Sequence, residues 1–104
     1  GNMSKMLKQA QQMQKDIENV QNELDELQIN SESGGGLVQV TINGKMELLD
    51  LNLKDEILTE EKEIIEDLII SAVNNAISKA QDESQNRMNS VAGGMLGGLK
   101  VPGM

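Results

Sequence analysis

Residues 34–53 read GGGLVQVTINGKMELLDLNL, and this stretch decides the fold. Three consecutive glycines cost too much backbone entropy to remain helical, so any helix before them must stop there. Beyond them the residues alternate. Val38, Val40 and Ile42 point one way and Gln39, Thr41 and Asn43 the other, the period-2 pattern of a strand with one buried face. Asn43-Gly44 is a strong hairpin signal, suited to a type I′ turn, and predicts that the chain doubles back at once. The return segment begins with Met46 and Leu48 on one face, then changes phase to place Leu49, Leu51 and Leu53 on the other. A bulge or bend near 48–49 reconciles the two halves, and could divide the segment into two short strands. The glycines lead into a strand rather than a helix N-terminus, so they lack the setting of a phosphate-cradling loop.

Outward from this centre lie two helical patterns. Upstream, Met6, Ala10, Met13, Ile17, Val20, Leu24 and Leu27 recur at alternating spacings of four and three, a heptad stripe that predicts a helix over 5–28. Ser4 is a candidate N-cap, and NSESGGG, residues 30–36, is the expected stop. Lys8 and Lys15 fall opposite the stripe, on a face that serves either solubility or an anionic partner. Downstream, Ile65, Ile69, Ala72, Val73, Ala76, Ile77 and Ala80 predict a second helix over 60–90. Thr59 is its candidate N-cap, and Glu60, Glu61 and Glu63 suit the positive end of its dipole. A single domain over 1–91 is therefore expected, followed by a flexible Gly/Met/Pro tail over 92–104.

Composition excludes more than it proposes. The 104 residues contain no Phe, Trp, Tyr, His or Cys. There is no aromatic platform for stacking bases, no usual ligand for zinc, haem or an iron–sulfur cluster, and no disulfide. The carboxylates of 60–67 lack the Glu-x-x-His pairing of di-iron bundles and any EF-hand spacing. No acid–base couple stands out, so neither an enzyme, nor a small-molecule substrate, nor a cofactor is expected. No secretory leader and no membrane-spanning apolar run is visible, which predicts a soluble intracellular protein.

The net charge of −8 conceals a pattern. Residues 1–15 carry Lys5, Lys8 and Lys15 and no acid, and residues 84–104 carry Arg87 and Lys100 and no acid. All 17 acidic residues lie between, leaving that middle at −13. A hairpin returns the chain to where it began, so antiparallel packing of the two helices would send both basic segments to one distant end. A lone hairpin is marginal in water, and the phase change leaves apolar residues on both of its faces. A homodimer is the economical way to bury them.

Taken together, MLKQAQQMQ (6–14), SGGGLVQVTINGK (33–45), EDLIISAVNNAISKA (66–80) and the Gly/Met/Pro tail resemble the YbaB/EbfC family of bacterial nucleoid-associated proteins. The resemblance implies an α+β fold of order α-β-β-β-α, two layers, with a small antiparallel sheet flanked by two long helices in a tweezer-like homodimer. It implies a cytoplasmic, nucleoid location, with helical arms that contact double-stranded DNA with little sequence preference. By position Lys5, Lys8 and Lys15 match the family's basic first arm, Lys79 and Arg87 its final helix, and Lys100 adds to the basic C-terminal segment. A second reading, a prefoldin-like chaperone or adaptor, draws on Met3, Met6 and Met13 at one tip and Met88 and Met95 near the other.

Overall fold

A computed structural model describes residues 2–97. The element order is α1 (Asn2–Glu26), β1 (Ile29–Ser33), β2 (Val38–Ile42), β3 (Leu48–Leu53) and α2 (Lys62–Gly97). A short 3-10 helix, Asp55–Thr59, joins β3 to α2. The three strands form one antiparallel sheet in the order β1-β2-β3. Both helices differ in extent from the sequence reading. Helix α1 starts before Ser4, and α2 continues past residue 90 into the expected tail, whose residues 98–104 lie outside the described residues. Helix α2 also starts later than expected. Thr59 donates its hydroxyl to the Glu56 carbonyl at 2.9 Å, closing the 3-10 helix instead of capping α2.

The third strand is not where the phase change suggested. It lies before the glycines, in INSES, residues 29–33, which the sequence marks as a helix stop. Asn30 to Ser33 are poor strand formers, yet each residue of the strand lies opposite a β2 residue in register, from Ile29 opposite Ile42 to Ser33 opposite Val38. Their size explains the placement. Ser31 is 6% exposed and the Ser33 hydroxyl donates to the Leu68 carbonyl, so α2 can lie close across this strand. The three glycines are then the β1–β2 turn, with φ of 61°, 66° and 93°, a region that residues with a Cβ rarely occupy. The expected bulge is present: Thr41 pairs with Asp50 and Ile42 with Leu48, leaving Leu49 as the extra residue.

Asn43-Gly44 makes the β2–β3 turn, though not of type I′, since neither residue has a positive φ and Met46 takes that role at 67°. The Asn43 side chain builds the loop. Its Oδ1 accepts from the backbone N–H of Lys45 at 2.9 Å and Glu47 at 3.0 Å, while Nδ2 donates to Glu47 Oε1 at 2.8 Å. Gly44 is required for a different reason. Its N–H donates to the Leu24 carbonyl at 2.8 Å, satisfying one of the open carbonyls at the end of α1. A Cβ there would meet that oxygen at 2.7 Å and the Leu24 Cβ at 2.8 Å. Gly44→Ala is expected to lower stability by about 2 kcal/mol through this overpacking. A thermal or urea melt checks it, and an unchanged midpoint would show that the loop and α1 shift apart without cost.

The core lies between the sheet and α2. Val38, Val40 and Ile42 face Ala72, Ala76 and Ala80, a row of small residues four apart that brings the helix down onto the strands. Ile57 of the 3-10 helix is fully buried at the edge of this layer. Helix α2 lies over β1 and β2 and leaves β3 outside its footprint. The chain α1–β1 runs opposite to α2: Glu23 meets Arg87, Asn30 meets Lys79 and Ser33 meets Leu68. The end of α1 therefore lies beside Arg87, about 37 Å along α2, and not beside its start as the hairpin argument expected. Strand β1, about 16 Å long, carries the chain back along α2 as far as Leu68 before the first turn.

Candidate functional site

The molecule is drawn out, 71 × 29 × 16 Å, because α1 and α2 extend together past the sheet as an arm. In the lower half of α1, Val20 and Leu24 are buried and Met13 and Ile17 half-buried, so the heptad stripe packs on α2 there. Helix α2 is described about 15 Å beyond Arg87, level with position 13 of α1. The first three turns of α1 extend about 16 Å further, and every residue from Asn2 to Gln12 is exposed.

Lys5, Lys8 and Lys15 all lie on this helix and all are exposed. At 100° per residue they fall within about 80° of arc and about 15 Å of length, on the side away from the apolar stripe. Among the described residues none of the three enters a salt bridge. Asp16 is the first carboxylate of the helix, and the Gln12 amide donates to it at 2.9 Å. The arm thus presents three cations that no carboxylate of the described chain neutralises by contact.

The other expected residues are placed differently. Arg87 faces the base of the arm, where its guanidinium donates to Glu83 at 2.9 Å and to Glu23 at 3.0 Å. The hydrogen bond to Glu83 raises its pKa above the ordinary arginine value, partial burial opposes this, and Glu23 adds to the rise. Arg87 therefore clamps α1 to α2. Lys79 donates to the Asn30 carbonyl at 3.3 Å, about 39 Å along the long axis from Lys5. It borders an open groove across the sheet that also contains Glu32 and Asp50, a poor setting for a polyanion. Lys100 lies outside the described residues. Lys5, Lys8 and Lys15 are brought together; Lys79 and Arg87 do not join them.

Two apolar surfaces lie uncovered, each foreshadowed in the sequence by the methionines of the first tip and by the phase change of the return segment; Leu7 is the addition. Met3, Met6 and Leu7 form an uncovered apolar face at the tip of the arm, 84%, 66% and 60% exposed. At the other end of the molecule, Leu48, Leu51 and Leu53 stand opposite the buried Ile42, Val40 and Val38, yet remain exposed because α2 does not reach them. The phase of the β3 leucines was legible, but the reach of α2 was not. Among the described residues, no three carboxylates converge on a point that could hold a metal ion. No described helix is long and apolar enough to cross a membrane.

A sequence model of the YbaB/EbfC DNA-binding family matches residues 1–95. A nucleoid-associated protein of Pelotomaculum thermopropionicum is 44% identical over 105 residues, covering 100% of this chain and 96% of that protein. A nucleoid-associated protein of Clostridium acetobutylicum is 37% identical over 105 residues, covering 100% of this chain and 90% of that protein. Among solved structures, an uncharacterized protein of Helicobacter pylori superposes with a TM-score of 0.73 at 30% identity, covering 89% of this chain and 95% of that one.

Proposed function

This chain belongs to the YbaB/EbfC DNA-binding family, and from that membership we propose that it is a nucleoid-associated protein that binds double-stranded DNA without catalysis, through the lysine face of α1. One observation carries the reading: Lys5, Lys8 and Lys15 share one exposed, carboxylate-free stretch of a projecting helix. Nonspecific binding needs little beyond placed cations that release counterions from phosphates. Nothing in such a contact reads base edges, so little sequence preference is expected.

Overall acidity does not defeat this arrangement. The carboxylates of 60–67 sit at the start of α2, about 45 Å short of its described end. At 0.1 M salt the screening length is about 10 Å, so those charges are not felt at the tip. Asp16 and Glu18 are closer and oppose Lys15 more than Lys5 or Lys8. The acidic body would keep the duplex off the sheet and direct it to the arms.

The reading includes a homodimer joined at β3. That strand is a sheet edge with unpaired backbone groups and a row of exposed leucines, and an identical copy would cover both. Two arms would then supply six lysines. Anisotropy of a labelled duplex, titrated with protein at increasing salt, tests the proposal. Six phosphate contacts give log K against log salt a slope of about −5. Duplexes of unrelated sequence should bind alike. Absence of binding at low salt, or a slope near zero, would overturn it.

A further inference from the structure

We infer that the tip of α1 is a pairing surface for the same tip on a second copy of this chain. The heptad stripe that α2 covers below position 13 does not end there. Met3, Met6, Ala10 and Met13 continue it in phase to the end of the arm, and Met3, Met6 and Ala10 are exposed. A seam of this kind is completed by another helix.

The flanking residues indicate which helix. Where α1 meets α2, the flanks include Asp16 and Glu23, and Glu23 is matched by Arg87. Around the open half they are Asn2, Leu7, Gln9 and Gln14, with no charge to repel an identical copy or demand an opposite one. An antiparallel pair centred on position 8 would set Met3 against the partner's Met13 and Met6 against the partner's Ala10. Each long side chain in the middle layers then meets a short one, which packs without a void. Lys5, Lys8 and Lys15 would lie on the outer sides of the pair, about 20 Å apart across two helices, too far for strong repulsion. Three turns of helix bury little area, so the association is weak and concentration-dependent. A molecule with two arms would propagate it into open chains.

The chain contains no native cysteine, which makes the test clean. Met6→Cys and Ala10→Cys are purified separately, mixed in equal amounts and oxidised mildly. Antiparallel pairing predicts a covalent two-chain product several-fold more abundant in the mixture than in either variant alone. Sedimentation supplies a second readout. With the β3 homodimer proposed above, on which this readout rests, the parent protein should gain mass beyond a dimer as concentration rises, and Met3→Gln with Met6→Gln, both at exposed helical sites, should not. Equal cross-linking in all three samples, or assembly unchanged in the glutamine variant, would overturn the inference. Neither readout involves DNA, so failure here leaves the DNA-binding proposal standing.

Discussion

Replacing Lys8 and Lys15 together, as Lys8→Glu with Lys15→Glu, should abolish duplex binding at physiological salt while leaving the fold intact. The substitution removes four of the six arm lysines of a dimer and puts carboxylates where phosphates would sit. The salt slope should fall from about −5 to about −2, if any binding survives at low salt to measure it. Both side chains are exposed, so the effect on stability should lie within about 0.5 kcal/mol. Anisotropy and a circular dichroism melt on the same preparation separate the two effects. Arg87→Gln is the informative contrast. Because Arg87 already serves Glu83 and Glu23, its removal should leave the salt slope unchanged. Affinity retained in the lysine variant would sink the arm as the DNA contact. A loss in the arginine variant matching that of the lysine variant would move the contact to the base of the arm.

Leu51→Asp with Leu53→Asp should convert the protein to single chains. In the isolated chain these leucines are 42% and 37% exposed, whereas their cross-strand neighbours Val40 and Val38 are buried under α2. The substitutions therefore spare the core of one chain and place two like charges on the edge that a second copy would cover, a device natural sheets use to block edge pairing. Light scattering after size exclusion should report the 11.3 kDa of one chain for the variant and twice that mass for the parent. With three lysines per molecule instead of six, the DNA salt slope should halve to about −2.5, which links this experiment to the first. A parent protein that is already a single chain at micromolar concentration, or a variant that remains paired, would remove β3 as the interface.

Several elements were legible from residues alone because their signals are local. The alternation of Val38, Val40 and Ile42 marks β2, the phase slip at Leu48–Leu49 marks the bulge, and the heptad stripe from Met6 to Leu27 marks α1. Strand β1 was not legible, because Asn30, Ser31, Glu32 and Ser33 carry no strand signal of their own. Their conformation comes from β2 on one side and from α2 above, a tertiary override of propensity. Asn43-Gly44 was rightly a turn and wrongly a type I′ turn, since the demand on Gly44 comes from Leu24, twenty positions away in sequence.

The charge pattern divides the same way. Sequence by itself determined that the first fifteen residues carry lysines and no acid, and that a helical period places those lysines opposite an apolar stripe. Charge count and helical phase depend only on the order of residues. Tertiary structure alone decided that Arg87 turns inward to Glu23, that Lys79 stays with the sheet, and that α1 outreaches the described part of α2. Those outcomes depend on where α1 meets α2, and that register follows from β1, a strand made by its neighbours. Sequence order sets which faces a helix has; packing register sets which of them remain uncovered.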